Sequence, residues 1–200
     1  MAILTKDGYF VDPKIKQHIS HAIEHGDMLQ TNGITVHQTD GATAESAFQQ
    51  YARGGNGAHF LIDKDGTIYQ TASISKIAWH IGKLKCRCLA EYRCVPAEAK
   101  RIASLHPKDI NDEEMKKKFP DRYPSNKDSV GIELVGQAFP MGKNIPSDKK
   151  IYENAPEKQN NSLKWLVKIL EDNLRISSSE VYRHPTLSWK NISEASSAKW

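Results

Sequence analysis

Long apolar runs and an N-terminal leader pattern are both missing from the sequence. No apolar stretch among the 200 residues approaches the ~20 residues needed to cross a bilayer, which argues against membrane insertion. Residues 1–8 lack a basic segment followed by an apolar one, so we expect no secretory signal peptide. If the protein is made in the cytoplasm and then exported, we expect it to use another route.

A strong excess of one charge is also missing. The formal net charge is +4 and the isoelectric point is about 8.8, with acidic and basic residues interleaved. The densest basic run, residues 116–118, lies just after the acidic residues 112–114, which is typical of a solvated helix face. This mild positive charge suits an anionic polymer and falls well short of a nucleic-acid-binding surface, so no nucleic acid is expected as a partner.

Cysteine is scarce, and its three copies crowd into one segment. Cys86, Cys88 and Cys94 could form one loop disulfide in an oxidising compartment, remain free thiols, or bind a metal, in that order of preference. Their odd number forbids full pairing within one chain, and no second cysteine or histidine pair at zinc-site spacing lies nearby. A cysteine peptidase with His80 as the base is disfavoured, because the segment offers no helix N-terminus to lower a thiol pKa.

The composition does provide enough apolar material for one folded domain. Hydrophobic residues make up 38% of the chain and charged residues 26%, which are ordinary proportions for a globular protein. Apolar residues at helical spacing from Leu163 to Leu174 predict a helix that covers a sheet. Strand and helix patterns that alternate along the chain predict a single α/β domain over residues 1–200, with a central mixed β-sheet flanked by helices.

Local patterns predict several further elements. Apolar residues at helical spacing predict a helix from Pro13 to Gly26, with three solvated histidines off its apolar stripe, namely His18, His21 and His25. A second helix is expected from a Thr43 cap to about Arg53, with Tyr51 on its inward, core-facing side. The remaining expectations are a hairpin of strands 58–63 and 67–71, helices at 97–105 and 112–119, and a loop through Pro140, Pro146 and Pro156.

Three polar residues lie at notable places in strand-like segments. His37 closes an alternating strand within residues 33–40, and His184 closes a second extended step, immediately before a proline. Glu133 lies in the middle of the apolar strand 130–136, where a carboxylate is costly unless it has a partner or a task. A lone histidine on a strand is more often structural than functional, so the case depends on the three together.

Five motifs in order give the chain a family resemblance. They are residues 34–37, 58–70, 78–82 and 129–136, and His184 with the tail that follows it. With these motifs the chain resembles the zinc-dependent N-acetylmuramoyl-L-alanine amidases of the type-2 class, whose superfamily includes phage lysozyme-type amidases and animal peptidoglycan recognition proteins. The resemblance implies the same α/β fold, and relative to small members residues 83–128 look like an inserted, loop-rich segment beside the substrate groove.

The resemblance also implies a metal centre with one Zn²⁺. His37 and His184 match the two histidine ligands of the family. The third ligand in relatives is an aspartate or cysteine shortly after the second histidine, and neither follows His184 here. We expect Glu194 to take that place if residues 189–193 curl back; otherwise it is a solvated glutamate near the C-terminus.

Further roles follow from the matched motifs. Glu133 matches the family's catalytic glutamate and is expected to act as general base and then as proton donor. Lys190 is expected to support the developing oxyanion, although its spacing to the third ligand differs from that of recycling-type enzymes. Trp79 and His80 are expected to line the substrate groove, with a structural role for His80 as the alternative, and His59 is expected to be structural.

The implied reaction is hydrolysis of the amide between the lactyl group of N-acetylmuramic acid and the L-alanine of the stem peptide. The implied partners are peptidoglycan or muropeptides. The tail at residues 190–195 favours an antibacterial effector delivered by a type VI secretion-like machine into the periplasm of a target bacterium, together with a cognate immunity protein. The alternatives are a cytoplasmic muropeptide-recycling amidase, a phage endolysin, and a non-catalytic peptidoglycan-binding module.

Overall fold

A six-stranded mixed sheet forms the centre of the protein. The computed structural model describes residues 2–142 and 149–200, and its elements are numbered here in chain order. The sheet contains, in spatial order, β10 (Val181–Arg183), β4 (Gly33–Gln38), β7 (Ser129–Leu134), β5 (Phe60–Ile62), β6 (Ile68–Gln70) and β3 (Ile15–Gln17). Its neighbours pair in parallel except for the antiparallel hairpin of β5 and β6. Two small antiparallel ribbons lie outside it, β1 (Ile3–Leu4) with β2 (Phe10–Val11) and β8 (Ala138–Pro140) with β9 (Lys150–Tyr152).

Helices pack on both faces of this sheet, and others form a separate apolar cluster. They are α1 (Ala44–Ala52), α2 (Arg87–Ala90), α3 (Pro96–Ala103), α4 (Pro107–Lys116), α5 (Glu157–Leu174) and α6 (His184–Leu187), with 3₁₀ turns at His21–Ile23 and Ser178–Glu180. Apolar side chains of α5 pack against one face, and those of α1 pack with Leu61 and Val135 in a separate cluster. The expected α/β fold with a flanked mixed sheet is confirmed. Within the described ranges, no helix combines the length and apolar character that a membrane span needs.

The two faces of the central strands differ in chemistry because side chains alternate along a strand. Ile34 and Val36 of β4, like their neighbours Val130 and Ile132 of β7, are fully buried in the core that α5 covers. The intervening residues of both strands therefore point to the opposite face. That face carries His37 and Glu133, which lie opposite each other in the β4–β7 register.

Several expected elements are found where the sequence predicts them. The Thr43 hydroxyl accepts a hydrogen bond from the backbone N–H of Ser46 and caps α1. The hairpin at residues 58–71 and the long leucine-rich helix α5 are also present. In residues 83–128, the segment expected to be an insertion, the helix expected at 97–105 is present as α3, and each of its ends differs from the expected one by about two residues or fewer.

The helix predicted from Pro13 to Gly26 is wrong. Residues 15–17 instead form β3, which pairs in parallel with β6. The pairing continues beyond the strand, since the backbone N–H of His18 donates to the Gln70 carbonyl and that of Ser20 donates to the Thr71 carbonyl. Pairing with a neighbouring strand therefore overrides the helical spacing of the isoleucines. His18 and His21 are exposed as expected, whereas His25 is half-buried.

Two smaller expectations also need correction. The helix expected at 112–119 is α4, which begins earlier, at Pro107, because a proline at the first helical position loses no hydrogen bond. The loop expected through Pro140 and Pro156 contains the β8–β9 ribbon, and Pro146 lies outside the described residues.

The cysteine segment adopts the first of the three states considered for it. Cys88 and Cys94 form a disulfide that closes the turn between α2 and α3. Cys86 remains a buried thiol, and its Sγ lies 3.5 Å from the Sγ of Cys88. This segment is anchored to the rest of the domain by the ion pair of Arg87 with Glu180, whose closest atoms are 2.8 Å apart.

Candidate active site

Three side chains from distant parts of the sequence meet at one end of the sheet. Oε1 of Glu194 lies 2.8 Å from Nδ1 of His184 and 3.6 Å from Nδ1 of His37. All three side chains are at most 8% exposed. One ligand atom from each residue falls within 4.8 Å of the others, so the three atoms converge on a common point.

The strand register brings the two histidines together. β4 and β10 are adjacent parallel strands in which Val36 lies opposite Arg183. The next residue of each chain segment is a histidine, and the carboxyl ends of parallel strands lie at the same edge of a sheet. His37 and His184 consequently lie side by side, with ring centroids 4.1 Å apart.

Glu194 reaches this point because the C-terminal segment turns back over the sheet. Its backbone N–H donates to the Asn191 carbonyl, and the next N–H, that of Ala195, donates to the side-chain oxygen of Gln38. Arg183 donates from its guanidinium to the Ala195 carbonyl, which ties the turn to β10. Residues 189–193 thus take the course that the assignment of Glu194 as a ligand requires.

Burial and hydrogen bonding set the charges of this cluster. Burial lowers the pKa of His37 to about 4, with a further lowering from positive charge at His184. Burial alone would raise the pKa of Glu194, but the hydrogen bond from His184 and the close approach of His37 outweigh it and bring the pKa to about 2. At neutral pH His37 is therefore neutral and Glu194 is ionised, which are the forms that bind a metal cation.

The donor set fits a catalytic zinc ion. Two imidazole nitrogens and one carboxylate oxygen are ligands that Zn²⁺ accepts, and catalytic sites use three protein ligands with a fourth position open. The three residues line a cleft of ≈ 700 Å³, so a fourth position has access to solvent and substrate. Other lining residues include Tyr51, Trp79, His80, Asn126, Glu133 and Lys190.

Glu133 is half-buried and lines the same cleft as the three candidate ligands. Its Oε2 is buried and has no hydrogen-bond partner in residues 2–142 and 149–200. Burial raises its pKa to about 8, the negative charge of Glu194 adds to the rise, and Lys190 opposes it. A carboxyl group that titrates near neutral pH in a cleft is suited to accept and return a proton.

Lys190 and Trp79 form parts of the cleft that face solvent. Lys190 is exposed, and its positive charge acts on both His37 and Glu133. Trp79 is 48% exposed, and its indole stacks on the imidazole of His25 at a centroid distance of 3.6 Å. Both residues line the cleft, and the roles expected for them, substrate contact for Trp79 and oxyanion support for Lys190, stay predictions.

His80 lies in the wall of the cleft, but its ring nitrogens face protein groups. Its Nδ1 lies 2.9 Å from Nε2 of His37, and its Nε2 lies 3.3 Å from the Ser129 carbonyl. This arrangement favours the structural alternative over direct substrate binding. His59 is likewise engaged on both sides, since its Nδ1 accepts from the Gly131 N–H and its Nε2 donates to the Lys76 carbonyl.

Two residues of the cleft were missed in the sequence. Tyr51 on α1 was assigned to the core by its helical spacing, and it is 4% exposed, yet its hydroxyl has no hydrogen-bond partner among the residues that the structure describes. Asn126 accepts hydrogen bonds from the backbone N–H groups of His80 and Ile81. Nothing in the sequence around Asn126 separates it from an ordinary turn asparagine.

Sequence comparison decides the family. The sequence profile described as N-acetylmuramoyl-L-alanine amidase matches residues 27–199, which include all of the candidate site residues. The chain belongs to this amidase family. No curated protein matches the amidase in sequence.

Solved structures share the fold of the amidase at low sequence identity. A selenomethionine derivative of AmpD is 16% identical, with 92% of this chain and 88% of that chain covered and a TM-score of 0.55. AmpDh3 from Pseudomonas aeruginosa is 16% identical, with 94% and 58% covered and a TM-score of 0.52. PlyL is 14% identical, with 90% and 84% covered and a TM-score of 0.51. At these identities the similarity establishes the fold.

Metal analysis tests the ligand set. We expect purified wild-type protein to contain one zinc ion per chain and Glu194→Ala to lose it, because two imidazoles alone leave the ion without its third protein ligand. Glu157→Ala, at an exposed position of α5, is the matched control and should retain the metal. Elemental analysis of the folded variants gives the answer, and a Glu194→Ala variant with full metal content would exclude Glu194 as a ligand.

The raised pKa of Glu133 predicts a pH-dependent stability in the metal-free protein. Folded wild type keeps a proton on Glu133 up to about pH 8, whereas the unfolded chain loses it near 4.5. The stability of wild type relative to Glu133→Gln should therefore fall as pH rises between these values, by on the order of 1 kcal/mol per pH unit. Urea unfolding of both proteins at several pH values measures the difference. A constant difference across this window would contradict the raised pKa.

Proposed function

We propose that the protein is a zinc-dependent hydrolase of the amide that joins the lactyl group of N-acetylmuramic acid to L-alanine in peptidoglycan. The observation that carries the proposal is the position of Glu133, a half-buried residue whose buried Oε2 has no hydrogen-bond partner among the described residues and which shares a cleft with three converging candidate ligands. A buried polar atom without a partner is costly, so its retention in an open cleft favours a role in chemistry.

The metal would be held by His37, His184 and Glu194. A zinc ion in this position supplies a Lewis acid for the scissile carbonyl and a water molecule of lowered pKa. Two of these ligands are in the forms that bind a metal cation, because His37 is neutral and Glu194 is ionised at neutral pH.

Glu133 moves the proton that the reaction requires. Hydrolysis adds hydroxide to the carbonyl carbon, breaks the C–N bond and delivers a proton to the amine of L-alanine. Glu133 accepts the proton of the attacking water and then donates it to the leaving amine, a sequence that needs a carboxyl group with a pKa near the working pH. The positive charge of Lys190 lowers the pKa of Glu133, which favours its ionised form and so prepares it to act first as a base.

Lys190 supports charge that develops during the reaction. The carbonyl oxygen becomes negative only as the tetrahedral state forms, so a cation at the rim stabilises the transition state more than the substrate. The exposed face of Trp79 offers a surface on which an apolar sugar face can pack. An open cleft of ≈ 700 Å³ is compatible with a substrate that continues beyond it as a polymer or as a released muropeptide.

The biological setting that we favour is antibacterial. A delivered effector acting in the periplasm of a target bacterium would meet an oxidising environment, in which the Cys88–Cys94 disulfide is stable. That bond gives a cytoplasmic recycling amidase less support, while a phage endolysin shares the chemistry. An effector of this kind requires a cognate immunity protein in the cell that makes it.

Replacement of the proposed base tests the reaction. We expect Glu133→Gln to lower cleavage of purified sacculi by roughly 10²- to 10⁴-fold, because proton transfer is lost. The variant should still bind one zinc ion, since Glu133 is not among the three ligands. The readout is muropeptide release, with mass spectrometry of the products to identify a free L-alanine amine and a free lactyl carboxylate. Glu157→Gln is the matched control.

The same assay separates the enzyme from a binding module. Retained cleavage by Glu133→Gln would exclude the assigned role of this residue. Wild-type protein that sediments with sacculi but neither binds zinc nor releases muropeptides would favour non-catalytic binding. Products cut at another bond would exclude the proposed specificity.

Directed expression tests the antibacterial setting. We expect the chain fused to a periplasmic signal peptide to lyse a Gram-negative host, because its substrate lies in that compartment. The same chain expressed in the cytoplasm should be tolerated, and the Glu133→Gln fusion should be harmless at equal expression. Growth curves and microscopy provide the measurement. Equal tolerance of the active periplasmic fusion would contradict an antibacterial role.

A further inference from the structure

Both candidate histidine ligands make their outer hydrogen bonds to two consecutive residues. Nε2 of His37 lies 2.9 Å from Nδ1 of His80. Nε2 of His184 lies 2.9 Å from the carbonyl oxygen of Ile81. The short segment of His80 and Ile81 thus contacts both ligands on the side opposite to their converging Nδ1 atoms.

These contacts define a consistent set of histidine tautomers. Nδ1 of each ligand must be unprotonated to bind a metal, so each Nε2 must carry the hydrogen. His184 then donates to the Ile81 carbonyl, and His37 donates to Nδ1 of His80. His80 is left with its own hydrogen on Nε2, which points to the Ser129 carbonyl at 3.3 Å.

Asn126 holds this segment in place. Its side-chain oxygen accepts from the backbone N–H of His80 at 3.0 Å and from that of Ile81 at 2.8 Å. Ser188 fixes the other side of the segment, because its hydroxyl donates to the Ile81 carbonyl at 2.7 Å. One amide oxygen with two lone pairs therefore determines the course of the backbone that contacts both ligands.

The position of the His80 ring depends on a glycine in β7. A Cβ atom at Gly131 would lie 2.8 Å from Cγ of the His80 ring, closer than such contacts occur. The ring therefore lies directly over the strand that also carries Glu133. The hydrogen bonds of Asn126 hold the backbone of the same residue from the other direction.

We propose that Asn126 is a positioning residue of the metal centre. By fixing the His80–Ile81 segment, it orients the imidazoles of His37 and His184 and selects the tautomers that present Nδ1 to the metal. Groups that hydrogen-bond to metal ligands typically change metal affinity by about 10- to 100-fold when they are removed. This inference rests on the metal centre described under the proposed function.

The chemistry of the side chain indicates which substitutions separate positioning from simple stability. Asn126→Ala leaves two backbone N–H groups without their acceptor. Asn126→Asp keeps an oxygen in the same place and can accept both hydrogen bonds. Asn161→Ala, at an exposed position of α5, removes an asparagine far from the cleft lining and is the matched control.

The experiment measures metal affinity of the full chain. Zn²⁺ binding is titrated against a chelator of known affinity, and the visible spectrum of the Co²⁺-loaded protein reports the ligand geometry. We expect Asn126→Ala to bind Zn²⁺ roughly 10- to 100-fold more weakly with an altered Co²⁺ spectrum. Asn126→Asp should recover most of the affinity, and Asn161→Ala should match wild type.

A second measurement does not require metal. Nitrogen-15 and proton spectra of the histidine side chains in the metal-free protein show whether Nε2 of each candidate ligand carries hydrogen and how fast that hydrogen exchanges with water. We expect His37 and His184 of wild type to carry slowly exchanging hydrogens on Nε2, because Nδ1 of His80 and the Ile81 carbonyl accept them whatever the state of the Nδ1 atoms that face Glu194. In Asn126→Ala these hydrogens should exchange faster, while the far-ultraviolet circular dichroism remains unchanged.

The two readouts distinguish failure of this inference from failure of the proposed function. Wild-type affinity, Co²⁺ spectrum and Nε2–H exchange in Asn126→Ala would overturn the positioning role alone. Weakened binding in both Asn126→Ala and Asn126→Asp with unchanged Nε2–H exchange would also overturn it. Wild-type protein that binds no zinc would overturn the proposed zinc centre, and the Nε2–H exchange in the metal-free chain would still decide whether Asn126 orients the two rings.

Discussion

The parallel pairing of β4 with both β10 and β7 is the constraint on which the site depends. Its register aligns His37 with Glu133 on one side and brings His184 beside it on the other. A shift of either strand by one residue would turn one of these side chains into the apolar core beneath α5. The buried isoleucines and valines of the same strands oppose such a shift, so the packing of one face fixes the chemistry of the other.

Much of this arrangement could be predicted from the sequence because it follows from local patterns. Alternation in β4 and β7 predicted which face each residue occupies, and the amphipathic stripe of α5 predicted the covering helix. The proximity of His184 to His37 was predicted only from the family resemblance, because no periodicity in the sequence indicates that these two residues lie next to each other. The third ligand followed from the chemical need for one, and Glu194 was the available carboxylate after the second histidine.

Other features depend on contacts that no local pattern contains. The segment after Pro13 has helical spacing, but pairing with β6 satisfies its backbone and makes it a strand. Asn126 accepts hydrogen bonds from the backbone N–H groups of His80 and Ile81, which lie more than forty residues earlier in the chain, so its role cannot be recognised from neighbouring residues. The inward position expected for Tyr51 is confirmed, but helical spacing does not indicate that this residue also belongs to the lining of the cleft.

The separation of the three candidate ligands along the chain has a thermodynamic consequence. The unfolded chain cannot bring His37, His184 and Glu194 together, so a metal ion held by all three binds only the folded state. Such binding stabilises the folded state by about 2.7 kcal/mol when the free metal concentration is 100 times the dissociation constant. The resistance of the domain to unfolding and proteolysis would then depend on the free metal concentration around it. The stability of the folded protein would therefore differ between the compartments in which it is made and in which it acts.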